Sequence, residues 1–204
     1  MYYGEFEVDK YIKENFFSSE SDNMIMVEVG AGPPAAYSNS KYFRDNGWRC
    51  ICIEPNPKFV EQHEKLNNEI YQYACSDEEK FSEFTIITIG DEENNNGLSY
   101  SSIDVRYKII PDFKSSVIEV EVIRLNSLLE RLNIDHIDFL SVDTEGWEID
   151  VMKGFDINKY RPKVVMLENY YHYIQYDEYM KSVGYALHSN INYNYIFIPD
   201  KEIL

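Results

Sequence analysis

Four carboxylate residues stand within or directly after short apolar stretches, where they could contact a ligand. They are Glu28, Glu54, Asp143 and Glu145. A carboxylate in such a position can accept hydrogen bonds from hydroxyl groups, attract a cation or act as a general base. The elements around these residues decide which of these roles is open to each of them.

The first apolar run, Met24–Val29, leads directly into the turn Gly30-Ala-Gly32. A run rich in Val and Ile is typical of a buried parallel strand, and glycine lets the backbone turn sharply and approach a ligand closely. A helix predicted from about Ala35 to Asn46 would point its N-terminal N–H groups at the same place. Strand, turn and helix predict the first unit of a nucleoside-binding or dinucleotide-binding sheet.

Glu54 follows the second predicted strand, Trp48–Ile53, about 20 positions after the turn. An acid in this position can accept hydrogen bonds from both hydroxyls of a ribose. The third glycine of a NAD fingerprint is absent, and Glu28 adds a carboxylate that suits an ammonium group. These two acids favour S-adenosylmethionine over NAD, unless both simply face water at the ends of their strands.

The third predicted strand, Glu69–Ala74, ends in Cys75-Ser76-Asp77. In a doubly wound sheet the end of this strand lies where an adenine ring would rest, so Cys75, Ser76 and Asp77 are candidates to contact it. The alternative is a plain Ser-Asp turn. The amphipathic helix before this strand, Lys58–Leu66, carries His63, which is predicted to be a surface histidine.

Asp143 follows the predicted strand Ile137–Val142, and His172 lies shortly after the strand Lys163–Glu168. Ligands of open α/β sheets bind at this end of the strands, so Asp143 and Glu145 can orient a ligand or accept a proton. They can instead cap the next helix. His172 is a candidate general base, or an exposed loop histidine.

The chain has 204 residues and is predicted to be one domain, residues 1–204, in which 1–23 form an N-terminal helix and a polar linker. The helix has Phe6, Tyr11, Ile12 and Phe16 as candidate inward residues, and it could pack on the sheet or cover the edge of the ligand site. Between the third strand and Ile123 we expect a strand over Phe81–Ile89, a long loop that could line a substrate pocket, and a strand over Val117–Ile123.

The net charge of −17 argues against nucleic acid as a partner, because phosphates would be repelled. Three cysteines without metal-ligand spacing fit a reducing compartment. No apolar run approaches the ~20 residues of a membrane span, and the N-terminus is unlike a signal peptide. We therefore expect a cytoplasmic protein without a membrane partner; the oligomeric state is not predicted.

Several segments together resemble the FkbM family of S-adenosylmethionine-dependent methyltransferases. The matching segments are Val27-Glu-Val-Gly-Ala-Gly32, Ile53-Glu-Pro-Asn-Pro57, Ala74-Cys-Ser-Asp77, Arg124-Leu-Asn-Ser-Leu-Leu129, Ile137-Asp-Phe-Leu-Ser-Val-Asp-Thr-Glu-Gly-Trp-Glu148, Val151-Met-Lys-Gly154 and Pro162-Lys-Val-Val-Met-Leu-Glu168. They occur in the family's order. The chain departs from the family pattern at Glu28, where Asp is usual, in the stretch from Gly32 to Pro34, and at Ser141, where Lys is usual.

The resemblance implies the class I methyltransferase fold, an α/β structure with a Rossmann-like, mostly parallel sheet of seven strands, the last antiparallel, and helices on both faces. It implies O-methylation of a hydroxyl on a sugar, glycan or small natural product, with S-adenosylmethionine as cofactor. By position, the turn with its Ala31 would hold the methionine end, Glu54 with the following Pro55 and Asn56 the ribose, and Asp143 would lie where cofactor and acceptor meet.

The general base is left open between His172, Asp143 and Glu145, since a hydroxyl with a high pKa gains from proton removal as the new bond forms. The acids could also hold a divalent cation, although no metal-ligand spacing requires one. Two other functions remain open: a non-catalytic cofactor-binding subunit, and a nucleic-acid methyltransferase on the same fold.

Overall fold

The computed structural model describes residues 1–19, 23–89, 98–102 and 113–200, and its centre is a seven-stranded sheet. The strands in the described residues are β1 (Ile25–Val29), β2 (Arg49–Ile53), β3 (Ile70–Tyr71), β4 (Ala74–Cys75), β5 (Lys80–Ile89), β6 (Leu98–Ser102), β7 (Phe113–Ile123), β8 (Phe139–Val142), β9 (Val164–Glu168), β10 (Tyr185–Ile191) and β11 (Asn194–Pro199). A short 3₁₀ turn, Glu5–Glu7, precedes the helices. These are α1 (Val8–Phe16), α2 (Asn39–Asp45), α3 (Pro57–Lys65), α4 (Leu125–Arg131), α5 (Glu148–Lys153), α6 (Ile157–Tyr160) and α7 (Gln175–Ser182).

The central sheet has the strand order β10-β11-β9-β8-β1-β2-β3. β3, β2, β1, β8 and β9 run parallel to one another, whereas β11 is antiparallel to both β9 and β10. The strand order reverses between β1 and β8, and in open α/β sheets such a reversal marks the ligand crevice. The predicted mostly parallel sheet with its antiparallel last strand is confirmed.

Successive side chains of β1 pack into two different hydrophobic cores, one on each face of the sheet. Val27 and Val29 pack with residues of α4, α5 and α7, whereas Met26 packs with α1 and α2 on the other face. Successive side chains of a strand point to opposite faces, so Glu28 shares the face of Met26 and lies beneath the start of α2. Helices therefore cover both faces of the sheet, as predicted.

A second sheet has the strand order β4-β7-β5-β6. The third strand predicted over Glu69–Ala74 is in fact divided, because β3 pairs with β2 whereas β4 leaves the central sheet and pairs with β7. β5 agrees with its predicted strand, β7 begins four residues before its prediction, and β6 lies where a loop was expected. The rest of that predicted loop, 90–97 and 103–112, lies outside the described residues.

The N-terminal segment differs from its prediction at Phe6. Ile12 on α1 is fully buried, but Phe6 is 49% exposed, and Phe17 is buried instead. Phe6 lies in the 3₁₀ turn with a φ of 54°, so the helical spacing that would bring it inward does not apply. In the part of the chain that the structure describes, no helix combines the length and the apolar character needed to cross a bilayer.

Candidate active site

The glycine turn after β1 is held between the ends of two neighbouring strands. The N–H groups of Gly30 and Ala31 both donate to the carbonyl oxygen of Ile53, at 2.9 and 3.1 Å. On its other side Gly30, with a φ of +79°, lies so close to the backbone of Asp143 that a Cβ there would be 1.7 Å from its carbonyl oxygen. Only glycine therefore allows this turn to pack against the end of β8.

Glu54 holds the far side of the same turn from the end of β2. One of its carboxylate oxygens accepts the N–H of Gly32 at 2.9 Å, and the other accepts the N–H of Asn56 at 2.8 Å. The side chain is 5% exposed, and burial raises its pKa to about 7. Glu54 thus holds the glycine turn and the segment after β2 together at the expected ribose position. Each of its carboxylate oxygens keeps a lone pair for a further hydrogen-bond donor.

Asn56 follows the buried Pro55 and is itself 1% exposed. Its Oδ1 atom accepts the N–H of Lys58 and caps α3. Its Nδ2 group is buried and has no hydrogen-bond partner within the described ranges. A buried donor of this kind is costly to leave unpaired, so its presence beside Glu54 fits a site that receives a polar ligand.

His63 is buried beneath the glycine turn, so its prediction as a surface histidine is wrong. Its Nε2 atom lies 3.1 Å from the carbonyl oxygen of Gly32, and its Nδ1 atom lies 3.2 Å from the amide nitrogen of Asn68. Desolvation by burial lowers its pKa, which favours the neutral ring that donates from Nε2 and accepts at Nδ1. His63 and Glu54 therefore anchor the two polar backbone groups of Gly32. A signal was available in the sequence, since His63 lies three residues after the apolar Val60 on one helix face.

Glu28 is directed at α2. One of its oxygens accepts the N–H groups of Asn39 and Ser40, at 2.9 and 3.3 Å. Burial raises its pKa to about 7. The predicted helix from about Ala35 begins only at Asn39, after Ser38, whose hydroxyl accepts the N–H of Lys41 as an N-cap. Glu28 thus stabilises the first turn of α2, and its contact with a cofactor ammonium group stays a prediction.

Three carboxylates converge at the ends of β8 and β9 and the start of α5. Asp143, Glu148 and Glu168 each offer an oxygen, and these oxygens lie within 4.8 Å of one another. Glu148 is fully buried and accepts the N–H groups of Thr144 and Gly146, at 2.8 and 3.1 Å, as well as the hydroxyl of Tyr176. Glu148 therefore fixes the turn that follows Asp143. Glu148 and Glu168 were not among the predicted site residues.

The carboxyl groups of Asp143 and Glu168 are hydrogen-bonded to each other. Burial raises the pKa of Asp143, and the charges of Glu145 and Glu148 raise it further. Burial and the charge of Asp143 raise the pKa of Glu168. Two carboxylates in contact cannot both ionise easily, so the pair holds one proton at neutral pH. This proton forms the hydrogen bond between the two carboxyl groups, and it belongs to the pair and not to either residue alone.

A small cavity lies beside this pair, and half of the residues that line it are tyrosines. Its lining residues are Gly146, Glu148, Glu168, Asn169, Tyr170, Tyr171, Tyr173 and Tyr176. Tyr170 and Tyr171 are 53% and 43% exposed, so their rings form an open wall next to the carboxylates. His172 was the predicted site residue in this stretch, whereas the tyrosines around it line the cavity.

The remaining predicted residues lie around this centre. His172 is exposed, and its Nδ1 atom is 2.9 Å from the hydroxyl of Tyr195. Glu145 has a φ of +57° and lies near enough to raise the pKa of Asp143. Cys75 and Ser76 are buried, and the carbonyl of Ser76 packs against Gly154 at the end of α5. Their contact with an adenine ring stays a prediction.

A sequence model of the Methyltransferase FkbM domain matches residues 28–187, which is most of the chain and includes the strand ends described above. The chain belongs to the FkbM methyltransferase family. The match begins at Glu28, just before the glycine turn, and ends within β10. It therefore leaves out the N-terminal segment with α1.

The fold is similar to that of the crystal structure of methyltransferase FkbM from Methylobacillus flagellatus KT, with a TM-score of 0.57 and 13% sequence identity. The similarity covers 93% of this chain and 50% of that protein. The chain thus spans about half the length of this structural relative, and the likeness shows a shared fold. No curated protein sequence matches the chain.

Proposed function

We propose that the protein is an S-adenosylmethionine-dependent O-methyltransferase that acts on a hydroxyl of a sugar, glycan or small natural product. The observation that carries this proposal is the arrangement at the carboxyl ends of three neighbouring strands of an FkbM methyltransferase. Glu54 at β2, the glycine turn at β1 and Asp143 at β8 are connected there by backbone contacts and hydrogen bonds.

The residues present fit the cofactor. Glu54 has free acceptor positions for the ribose hydroxyls, and the buried Nδ2 group of Asn56 is a donor in need of a partner. Gly32 has open space where a Cβ would stand, so the backbone can be approached there. When bound, S-adenosylmethionine supplies a methyl group that is already activated on a sulfonium. The chain must then align the acceptor hydroxyl and exclude water.

Asp143 is the general base in this proposal. A carboxyl group whose pKa is raised by burial and by neighbouring acids is, once ionised, a stronger base than a carboxylate in water. Glu168 holds the Asp143 carboxylate in place through their hydrogen bond. His172 is the weaker candidate, because it is exposed and does not line the cavity beside Glu168.

Two other functions are less well supported. A nucleic-acid substrate conflicts with the net charge of −17 and with the cluster of carboxylates at the candidate site. A non-catalytic cofactor-binding subunit would need Glu54 but would have no use for the contact between the half-buried Asp143 and the buried Glu168. Bringing two carboxyl groups together costs stability, and such a cost is typical of groups that take part in the chemistry.

The experiment measures transfer of a labelled methyl group from S-adenosylmethionine to a pool of glycans and polyketides, by wild type and by Asp143→Asn. Asn nearly preserves the volume, so the melting temperature should change little, while single-turnover transfer should fall by about 10²-fold or more. Asp150→Asn, which loses only an ion pair with Lys153 on α5, is the control and should transfer normally. Full activity of Asp143→Asn would refute its role as base, and cofactor binding without transfer to any acceptor would favour the subunit.

A further inference from the structure

The 3₁₀ turn Glu5–Glu7 contacts the aromatic wall of the candidate site. Glu5 accepts a hydrogen bond from the hydroxyl of Tyr193, and the ring of Phe6 lies edge-on to Tyr193 with 5.4 Å between centroids. Tyr193 in turn contacts Tyr170, with 5.5 Å between centroids. The N-terminal segment, which the FkbM family match does not include, therefore reaches the residues that border the cavity.

The backbone of this turn is strained. Phe6 and Glu7 have φ values of 54° and 55°, and each is a non-glycine residue in the left-handed region, which is unfavourable because the Cβ atom crowds the backbone. In this conformation the Phe6 ring is 49% exposed. Backbone strain of this kind clusters at active sites and ligand-binding positions.

The segment is also firmly anchored. Asp9 on α1 is fully buried, and its carboxyl accepts the N–H of Tyr3 at 2.7 Å and that of Gly4. Gly4 packs so closely on α2 that a Cβ there would lie 2.9 Å from Oδ1 of Asn39. Glu5 and Phe6 follow directly, so their position is fixed by α1 and α2.

Glu5 adds a carboxylate to an acidic site. Its charge is among the causes that raise the pKa of Asp143, after burial, Glu145 and Glu148. Every charge among these causes is negative, so an anionic group entering the crevice would be repelled. A neutral polyhydroxylated ring compound meets no such repulsion. Aromatic side chains can pack against the C–H face of its ring, and carboxylates can accept hydrogen bonds from its hydroxyl groups.

We propose that Glu5 and Phe6 form the outer wall of the acceptor subsite and that this wall selects neutral polyhydroxylated acceptors over anionic ones. The proposal rests on the methyl transfer proposed above, and it assigns acceptor specificity to residues outside the FkbM family match. Phe6 contacts the ring of the acceptor, and Glu5 both orients Tyr193 and rejects carboxylates and phosphates.

The probes are maltotetraose as the neutral acceptor and tetragalacturonate as the anionic one, each assayed with labelled S-adenosylmethionine. Phe6→Gly suits the left-handed backbone, so this variant should fold, and it should raise the KM for maltotetraose about three- to tenfold. Phe6→Tyr keeps the ring and should restore the KM. Glu5→Gln should reduce the preference for the neutral over the anionic probe. The affinity for S-adenosylhomocysteine should stay unchanged in all three.

Phe81→Ala, at another exposed ring, and Glu7→Gln, on the same turn, are the matched controls and should behave as wild type. If Phe6→Gly and Glu5→Gln keep the wild-type KM and preference while transfer proceeds, the assignment of Glu5 and Phe6 to the acceptor subsite is refuted and the proposed function stands. If wild type binds S-adenosylhomocysteine but methylates neither probe, the selection of neutral polyhydroxylated acceptors is refuted. Transfer to the pooled glycans and polyketides would then decide the proposed function separately.

Discussion

Gly30 and Gly32 in the same turn provide a matched pair for testing how the turn packs on the candidate base. Both have a positive φ, +79° and +55°. Alanine at either position costs roughly 1–2 kcal/mol for the left-handed conformation, partly offset by about 0.4–1 kcal/mol of lost freedom in the unfolded chain. Gly32→Ala should therefore destabilise the protein by about 1 kcal/mol, since its Cβ would meet nothing within 4 Å.

Gly30→Ala should cost considerably more. Its Cβ would lie 1.7 Å from the carbonyl oxygen of Asp143 and 2.8 Å from the carbonyl carbon. The end of β8 would have to move away, which also strains the hydrogen bond from Asp143 N–H to Val29, now 2.9 Å long. Overpacking against backbone adds roughly 2–3 kcal/mol, so the total should approach 3–4 kcal/mol and lower the melting temperature by about 6–15 °C.

The assay is urea unfolding followed by circular dichroism, together with calorimetric titration of S-adenosylhomocysteine at a temperature where both variants are folded. Gly30→Ala should lose most of its affinity because the turn and Asp143 move apart, whereas Gly32→Ala should lose little. Equal costs for the two variants, within about 0.5 kcal/mol, would show that the turn does not pack on Asp143.

Three further predictions concern Glu54, His63 and Glu28. Glu54→Ala should weaken S-adenosylhomocysteine binding by roughly 1–3 kcal/mol. His63→Phe leaves the Gly32 carbonyl unpaired and should weaken the binding more than His63→Gln does; calorimetry that finds unchanged affinities would remove Glu54 and His63 from the site. Burial raises the pKa of Glu28 to about 7, so the folded state binds this proton more tightly than the unfolded chain. Its contribution is complete below about pH 4.5 and is lost as the pH rises through 7. The unfolding free energy should therefore fall between pH 5 and pH 8, and by less in Glu28→Gln; equal falls would contradict the shifted pKa.

The strands that carry the site were predictable because each is short, apolar and ended by glycine or an acid. Asp143 and Glu54 lie at the strand ends where the pattern placed them. The position of Asp143 against Gly30 follows from the parallel pairing of β1 with β8. The carboxyl ends of parallel strands meet at one edge of a sheet, so the strand ends indicate the general location of the site before the strand order is known.

The details depend on contacts that local patterns do not encode. His63 lies on an amphipathic helix, and its burial results from the docking of α3 under the glycine turn. The late start of α2 did have a local signal, since Ser38 is a good N-cap. β4 leaves the central sheet because it pairs with β7, about 50 residues later in the chain, which no local window contains.

The two outer strands of the central sheet affect how copies of the protein can associate. β3 has two residues, and β10 carries an irregularity in its register with β11 between Leu187 and Ser189. A newly arriving strand needs a long, regular row of free backbone N–H and C=O groups in order to pair. Neither border of this sheet offers such a row, so growth of ordered fibrils by strand addition along it is disfavoured even in concentrated solution.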